Sequence, residues 1–144
     1  MGIFNAFNIS ASGMTAQRLR TDTISQNLAN VNTTSTSSGG PYRRQTVVFA
    51  EKEMTSFDNI LTSRGTVGDG VKVKAIVEDT WTDMIKVYDP SHPDADENGY
   101  VTYPNVNTVT EMTNLIDATR AYEANVTAFN ASKTMARKGL SMNN

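Results

Sequence analysis

The sequence predicts an α+β fold: two long terminal α-helices pair as a coiled-coil-like stalk, and a small β-rich module fills the middle. Three observations lead there. All four prolines (Pro41, Pro90, Pro93, Pro104) lie away from the ends, and proline inside a helix costs about 3 kcal/mol, so both ends are left as helical territory. Each end carries an apolar stripe at heptad-like spacing. The middle holds short β-branched and aromatic runs separated by turn dipeptides. The chain thus divides into an N-terminal helical arm over 1–33, a linker and β-rich module over 34–107, and a C-terminal helical arm over 108–144.

In the first arm, alternate steps of four and three residues from Ile3 pass through Phe7, Ser10, Met14, Gln17, Thr21, Ile24, Leu28 and Val31. Six of these nine are apolar, yet the arm also carries five Asn, three Ser and three Thr over residues 1–32. Those residues are poor helix formers in an interior, so the helix is marginal alone and needs a partner along its stripe. The arms are therefore expected to order on assembly.

Between the arms, Thr33–Gly40 (TTSTSSGG) has the composition of a flexible linker. Arg44–Phe49, Val71–Lys74, Ile85–Tyr88 and Tyr100–Tyr103 read as short strands of one module. Asn98-Gly99 predicts a type I′ hairpin turn. Met54, Phe57 and Leu61 have helical spacing and leave a short helix over 51–64 open.

The second arm reads more strongly. Thr108-Val109-Thr110-Glu111 fits a capping box, with Thr108 as N-cap and Glu111 reaching back. Steps of three and four from Met112 pass through Leu115, Thr119, Tyr122, Val126, Phe129, Lys133, Ala136 and Leu140. Gly139 marks the end, and Lys133, Arg137 and Lys138 complement the helix dipole. The apolar members of both stripes form the candidate assembly seam, facing the other arm, neighbouring copies, or both.

Composition removes several function classes. Cysteine is absent, which excludes disulfides, thiolate metal sites and a cysteine nucleophile. With His92 the only histidine, a two-histidine metal site is excluded too. Net charge is -2 with pI near 5.3, so no basic field points to nucleic acid. The longest apolar run, Val47–Ala50, is far short of the roughly 20 residues that span a bilayer. The opening MGIFNAFNIS lacks the basic and apolar regions of a cleaved secretory signal. Hydrophobic residues are 38% and mean hydropathy is -0.40, so the core is small or shared with a partner.

Three local patterns look chemical and have plainer explanations. Asp94-Ala95-Asp96-Glu97-Asn98-Gly99 matches the start of an EF-hand loop, but the twelfth position is Asn105 where a bidentate Glu is required, and prolines replace the flanking helix. A polar turn explains it better. His92 lies between Ser91 and Pro93 with no nucleophile nearby, which fits an exposed loop. Arg18, Arg20, Arg43 and Arg44 fit solvated or salt-bridged faces in an acidic chain.

The segments FNISASGMTAQRLR and SQNLANVNTT resemble the N-terminal signature of the flagellar rod, hook and filament-joining proteins. PYRRQTVVF, VYDPSHPDADENGYVTYPNVN and TEMTNLIDATRAYEANVTAFNASKTMARKGL are similar to the proximal-rod members of that axial family. The likeness covers about three quarters of the chain; residues 51–70 take no part in it and look long for the family. It implies a non-enzymatic subunit without cofactors or a membrane span, polymerising helically into the hollow rod that transmits torque and passes exported subunits. The implied partners are self copies, the other proximal rod proteins, the adaptor from rod to membrane ring, the distal rod protein and the flagellar type III export apparatus. The implied location is the rod where it crosses the periplasmic space, reached without a cleaved signal. A generic coiled-coil hairpin adaptor is the alternative, and a calcium-dependent or hydrolytic enzyme built on Asp94, Asp96 and His92 is a distant third.

Overall fold

The computed structural model describes residues 3–37, 39–52 and 70–141, with the Ile3 side chain left out. The elements run α1 (Ile3–Ala29), β1 (Gln45–Glu51), β2 (Val71–Glu78), β3 (Ile85–Tyr88), β4 (Tyr100–Tyr103) and α2 (Thr108–Ser141). The open helix over 51–64, with Met54, Phe57 and Leu61, lies almost wholly outside the described residues.

Within both helices threonine hydroxyls fold back on the preceding turn, so part of the polar load is hydrogen-bonded locally. Thr21, Thr23, Thr119 and Thr127 each donate to the carbonyl four residues earlier at 2.8–3.0 Å. The start of α2 departs from the expected capping box. Asn107, not Thr108, is the N-cap: its Oδ1 accepts the N–H groups of Val109 and Thr110 at 3.0 and 3.1 Å. Glu111 does not reach back, because its carboxylate is buried and bonded elsewhere.

α1 and α2 pack antiparallel. Asn27 bonds Glu111, Gly13 faces Asn125, and the Phe7 and Phe129 rings lie 5.0 Å apart. Moving down α1 therefore means moving up α2. The interface is built of small and polar residues rather than large apolar ones: Ser10, Ala16, Asn27, Glu111 and Ala118 are all buried. A Cβ on Gly13 would come within 2.6 Å of Asn125 Oδ1, so this glycine leaves the room on α1 that the Asn125 side chain occupies.

The strands pair as two separate antiparallel ribbons instead of one module. β1 pairs with β2 from Gln45↔Glu78 to Glu51↔Val71, with a register shift at Val48/Phe49, and β3 pairs with β4 from Ile85↔Tyr103 to Tyr88↔Tyr100. A lone two-stranded ribbon is marginal in water, so each must lean on something. The first lies lengthwise on α1. Its base is pinned where the Gln45 backbone bonds Asn27, and its tip where Val71 N–H donates to Ser12 Oγ at 3.1 Å. The spans agree: fifteen residues of helix rise about 22 Å, and the strand from Gln45 to Glu51 covers about 20 Å.

The second ribbon is anchored by buried Val101, Pro104, Asn105 and Val106 as the chain enters α2. Its connection does not form a type I′ turn. Gly99 has φ +79°, but no described non-glycine residue has positive φ, so Asn98 does not meet that geometry. Instead Gly99 N–H donates to Asp96 carbonyl and Asp96 Oδ1 accepts from the N–H groups of Asn98 and Tyr100, all at 2.9 Å. The Thr33–Gly40 segment is also more ordered than a free linker. Thr36 N–H donates to Gly40 carbonyl, Tyr42 N–H to Thr33 carbonyl, and Thr34 hydroxyl to Asp94.

Gly13→Val must displace the Asn125 side chain from between the helices and should lower stability by about 1–3 kcal/mol. Gly139→Ala meets no atom within 4 Å and should be neutral or stabilise by up to about 1 kcal/mol through helix propensity. Thermal melts followed at 222 nm check both; equal melting of the two variants would remove the packing role of Gly13.

Candidate assembly site and its polar clasp

A fully buried amide organises the end of the molecule where α1 finishes and α2 begins. Asn27 has 0% exposure and all four of its hydrogen-bonding positions are used. Its Nδ2 donates to Gln45 carbonyl at 2.8 Å and to Glu111 Oε2 at 2.9 Å, while Oδ1 accepts from Tyr42 hydroxyl and Gln45 N–H, both at 2.9 Å. Glu111 is 1% exposed. Its other oxygen, Oε1, takes two contacts from Arg44, Nε and Nη2, each at 2.8 Å. Arg44 also donates Nη1 to Thr46 hydroxyl and lies 3.8 Å from Asp79.

Asn105 completes the clasp. Its Oδ1 accepts Arg44 N–H at 2.9 Å, and its Nδ2 donates to the carbonyls of Asp79 and Thr82 at 2.9 and 3.2 Å. Five segments far apart in sequence are thereby locked together: α1, the strand entry at 42–45, the 79–82 turn, residue 105 and α2. A buried carboxylate such as that of Glu111 needs this degree of satisfaction, since desolvation of an ion costs several kcal/mol.

Two groups on the clasp titrate abnormally. Burial pushes the Tyr42 phenol above its ordinary value of 10.0, and the carboxylates of Glu78 and Glu111 add to the effect. The Asp79 carboxyl is held below its ordinary 3.8 by the Thr82 N–H and hydroxyl, then by the Trp81 N–H and the Arg44 charge. A raised phenol stabilises the fold at all pH below 10 and ceases to as pH climbs through the raised value; a lowered carboxyl stabilises above 3.8 and ceases to as pH falls through the lowered one.

The stripe residues divide by environment. Ile24 is buried. Phe7, Met14, Leu28, Val31, Leu115, Val126, Phe129 and Ala136 are half-buried, while Met112, Tyr122 and Leu140 are exposed. On α2 the face against α1 is centred one residue ahead of the expected stripe at its start: Glu111 and Ala118 are buried where Met112 and Thr119 are exposed. A second, free apolar face results, with Val109, Met112 and Ile116 exposed by 75%, 54% and 53%.

The look-alikes resolve structurally. Asp94 accepts the Thr34 hydroxyl, Asp96 holds its own turn, and His92 Nδ1 accepts Asp94 N–H at 3.1 Å. Among the described residues, Arg44 is the arginine with salt bridges, to Glu111 and Asp79. Among the described residues no helix is long and apolar enough to cross a membrane.

Sequence reasoning missed Asn27, Tyr42 and Asn105 and took Glu111 for a cap. A signal was present: Asn27 lies in SQNLANVNTT, Arg44 in PYRRQTVVF, Asn105 in ENGYVTYPNVN and Glu111 in TEMTNLIDATRAYEANV. The separate signature segments meet in one clasp.

Those same segments carry the relationship to known proteins. Residues 7–35 match the family model "Flagella basal body rod protein", and residues 97–142 match "Flagellar basal body rod FlgEFG protein C-terminal". Paired terminal helices around a small β region, closed by a clasp of signature residues, thus define a flagellar basal-body rod protein. Over its whole length the chain is 46% identical to the flagellar basal-body rod protein FlgC of Borreliella burgdorferi, covering 99% of this chain and 98% of the relative. It is 48% identical to that of Bacillus subtilis (97% of each chain) and 38% identical to that of Escherichia coli (99% and 98%). The chain belongs to the FlgC family and is a structural rod subunit of the flagellar basal body, not an enzyme.

Glu111→Ala leaves Arg44 and the Asn27 amide without their acceptor and should cost about 3–5 kcal/mol. Exposed Glu97→Ala should stay within about 0.5 kcal/mol of the parent. Urea unfolding measures both, and parity between them would dismiss the clasp as a stabilising centre.

Tyr42→Phe removes one donor to Asn27 and should cost about 1 kcal/mol near neutral pH. The penalty should shrink above pH 10 as the parent's phenol ionises. Tyrosinate absorbance, parent minus variant, should titrate with a midpoint above the ordinary 10.0; a midpoint at or below 10 contradicts the raised value.

Proposed function

We propose that the chain polymerises, with copies of itself and with the other proximal rod proteins, into the helical tube of the rod. The paired arms 1–33 and 108–144 line the inner wall as a coiled-coil-like stalk, and the module 34–107 decorates the outside. The tube transmits torque and passes exported subunits. Its further partners are the adaptor to the membrane ring and the distal rod protein. The chain reaches its place across the periplasmic space through the flagellar type III apparatus, without a cleaved signal.

One observation supports this most: the helix pair leaves large apolar side chains in water. Phe4, Val109, Met112, Ile116, Met135 and Leu140 are each more than half exposed. A self-sufficient hairpin adaptor would hide such residues between its own arms, whereas a subunit packed by neighbours on several sides needs them outside. Repeated heterologous contacts that do not close generate a helical polymer.

The test introduces Met112→Asp and Val126→Asp, with Glu123→Gln as a control, into a strain lacking the native copy. An unpaired carboxylate buried at a subunit contact costs several kcal/mol at every repeat. Both seam variants should abolish swimming and rod content in purified basal bodies, while circular dichroism of the isolated proteins matches the parent. Normal swimming with the seam carboxylates would refute the tube role of the arms.

A further inference from the structure

Among the described residues, the antiparallel register leaves part of α2 with no helix beside it. With Phe7 against Phe129 and Gly13 opposite Asn125, Ile3 falls opposite residue 133 or so, and the rest of α2 runs on for about 11 Å. That free end carries Met135 and Leu140, exposed by 61% and 76%. It also carries Lys133, Arg137 and Lys138, with no acidic residue anywhere from 124 to 144 and no charged side chain in residues 1–17. One end of the molecule is therefore apolar and basic.

The other end has the matching character. The free face of α2 there shows Val109, Met112 and Ile116 to solvent. Held at the same end by its 79–82 turn is the β3–β4 region, where residues 79–97 carry six carboxylates, Asp79 among them paired with Arg44, against the single Lys86. The clasp fixes this acidic lobe at the start of α2 through Asn105 and Arg44. Among the described residues neither surface meets its complement within one copy, because the antiparallel helices hold the two at opposite ends.

We propose that successive copies of this chain stack head to tail, the basic free end of α2 in one copy docking on the acidic lobe and exposed apolar face of the next. The inference rests on the polymerising-subunit reading and deepens it by giving the contact a polarity and a second copy as occupant. Such a contact is heterologous, so it propagates instead of closing into a dimer. Charge complementarity sets direction, since tail-to-tail and head-to-head contacts set like charges together.

Two exposed charge-swap variants test it. One carries Lys133→Glu, Arg137→Glu and Lys138→Glu; the other carries Asp83→Lys, Asp94→Lys and Glu97→Lys. Each alone sets like charges at every head-to-tail contact, whereas in an equimolar mixture every contact between the two variants pairs opposite charges. In sedimentation velocity the parent should form concentration-dependent oligomers that added salt disperses. Each variant should sediment as a monomer with parental helicity, and the mixture should recover the parent's association. Overturning results are a parent that stays monomeric, a single variant that associates like the parent, or a mixture that stays monomeric. Any of these together with loss of rods in Met112→Asp and Val126→Asp cells removes the head-to-tail contact and leaves the rod-subunit reading standing.

Discussion

The buried carboxylate of Glu111 is the constraint on which the architecture depends. Removed from water on the first turn of α2, it must find donors, and it finds them on two other elements: Arg44 at the strand entry and Asn27 near the end of α1. An amide with all four positions engaged cannot slide by a turn without orphaning two donors and two acceptors. The cost of an unsatisfied buried group, about 1–3 kcal/mol each, therefore fixes the helix register more sharply than apolar contact would. From that point Gly13 and Asn125, then Phe7 and Phe129, come opposite each other in turn. The ribbon β1–β2 is drawn along α1 because its first residue is held by the same Asn27.

A core organised this way has an energetic consequence. The fully buried apolar residues among those described are Ala16, Ile24, Val101, Val106 and Ala118, two of them alanines. A buried ion pair contributes specificity more readily than net stability, because desolvation offsets most of its Coulombic gain. The clasp end is thus well defined and the far end of the stalk weakly held. Polar satisfaction sets geometry where signature segments meet, and apolar surface is left for neighbours. That division suits a subunit whose final packing comes from a lattice.

The four strands were legible in the sequence because β-branched alternation and aromatic content act locally; each observed strand overlaps its expected run. Helix existence was legible for the same reason, through proline placement and spacing. Helix faces were not. Apolar stepping on α2 followed Met112 and Thr119, while the packed face runs through Glu111 and Ala118. A polar residue is assigned outward unless its partners are known, and those of Glu111 lie 67 and 84 positions away. The cap failed on a finer point: Asn107 and Thr108 both qualify chemically, and the entering chain, turned by Pro104 and Asn105, chose the former. The hairpin dipeptide misled because Asp96 supplies the turn's bonds through its side chain, so Asn98 need not leave the right-handed region.

The distribution of charge follows from the same topology. Antiparallel helices return the chain to its starting end, so the acidic β3–β4 region and the entry to α2 are forced together while the basic close of α2 is carried as far away as a helix of 34 residues allows. Within one copy that separation is unfavourable only weakly, since charges several Debye lengths apart hardly interact at physiological salt. Between copies it becomes directional information. A stalk held in register by a buried amide therefore presents its two unlike ends at a fixed spacing, and an interface reading those ends inherits that spacing. The polar clasp, by fixing the helix register, thereby sets the distance between the two ends that such an interface would read.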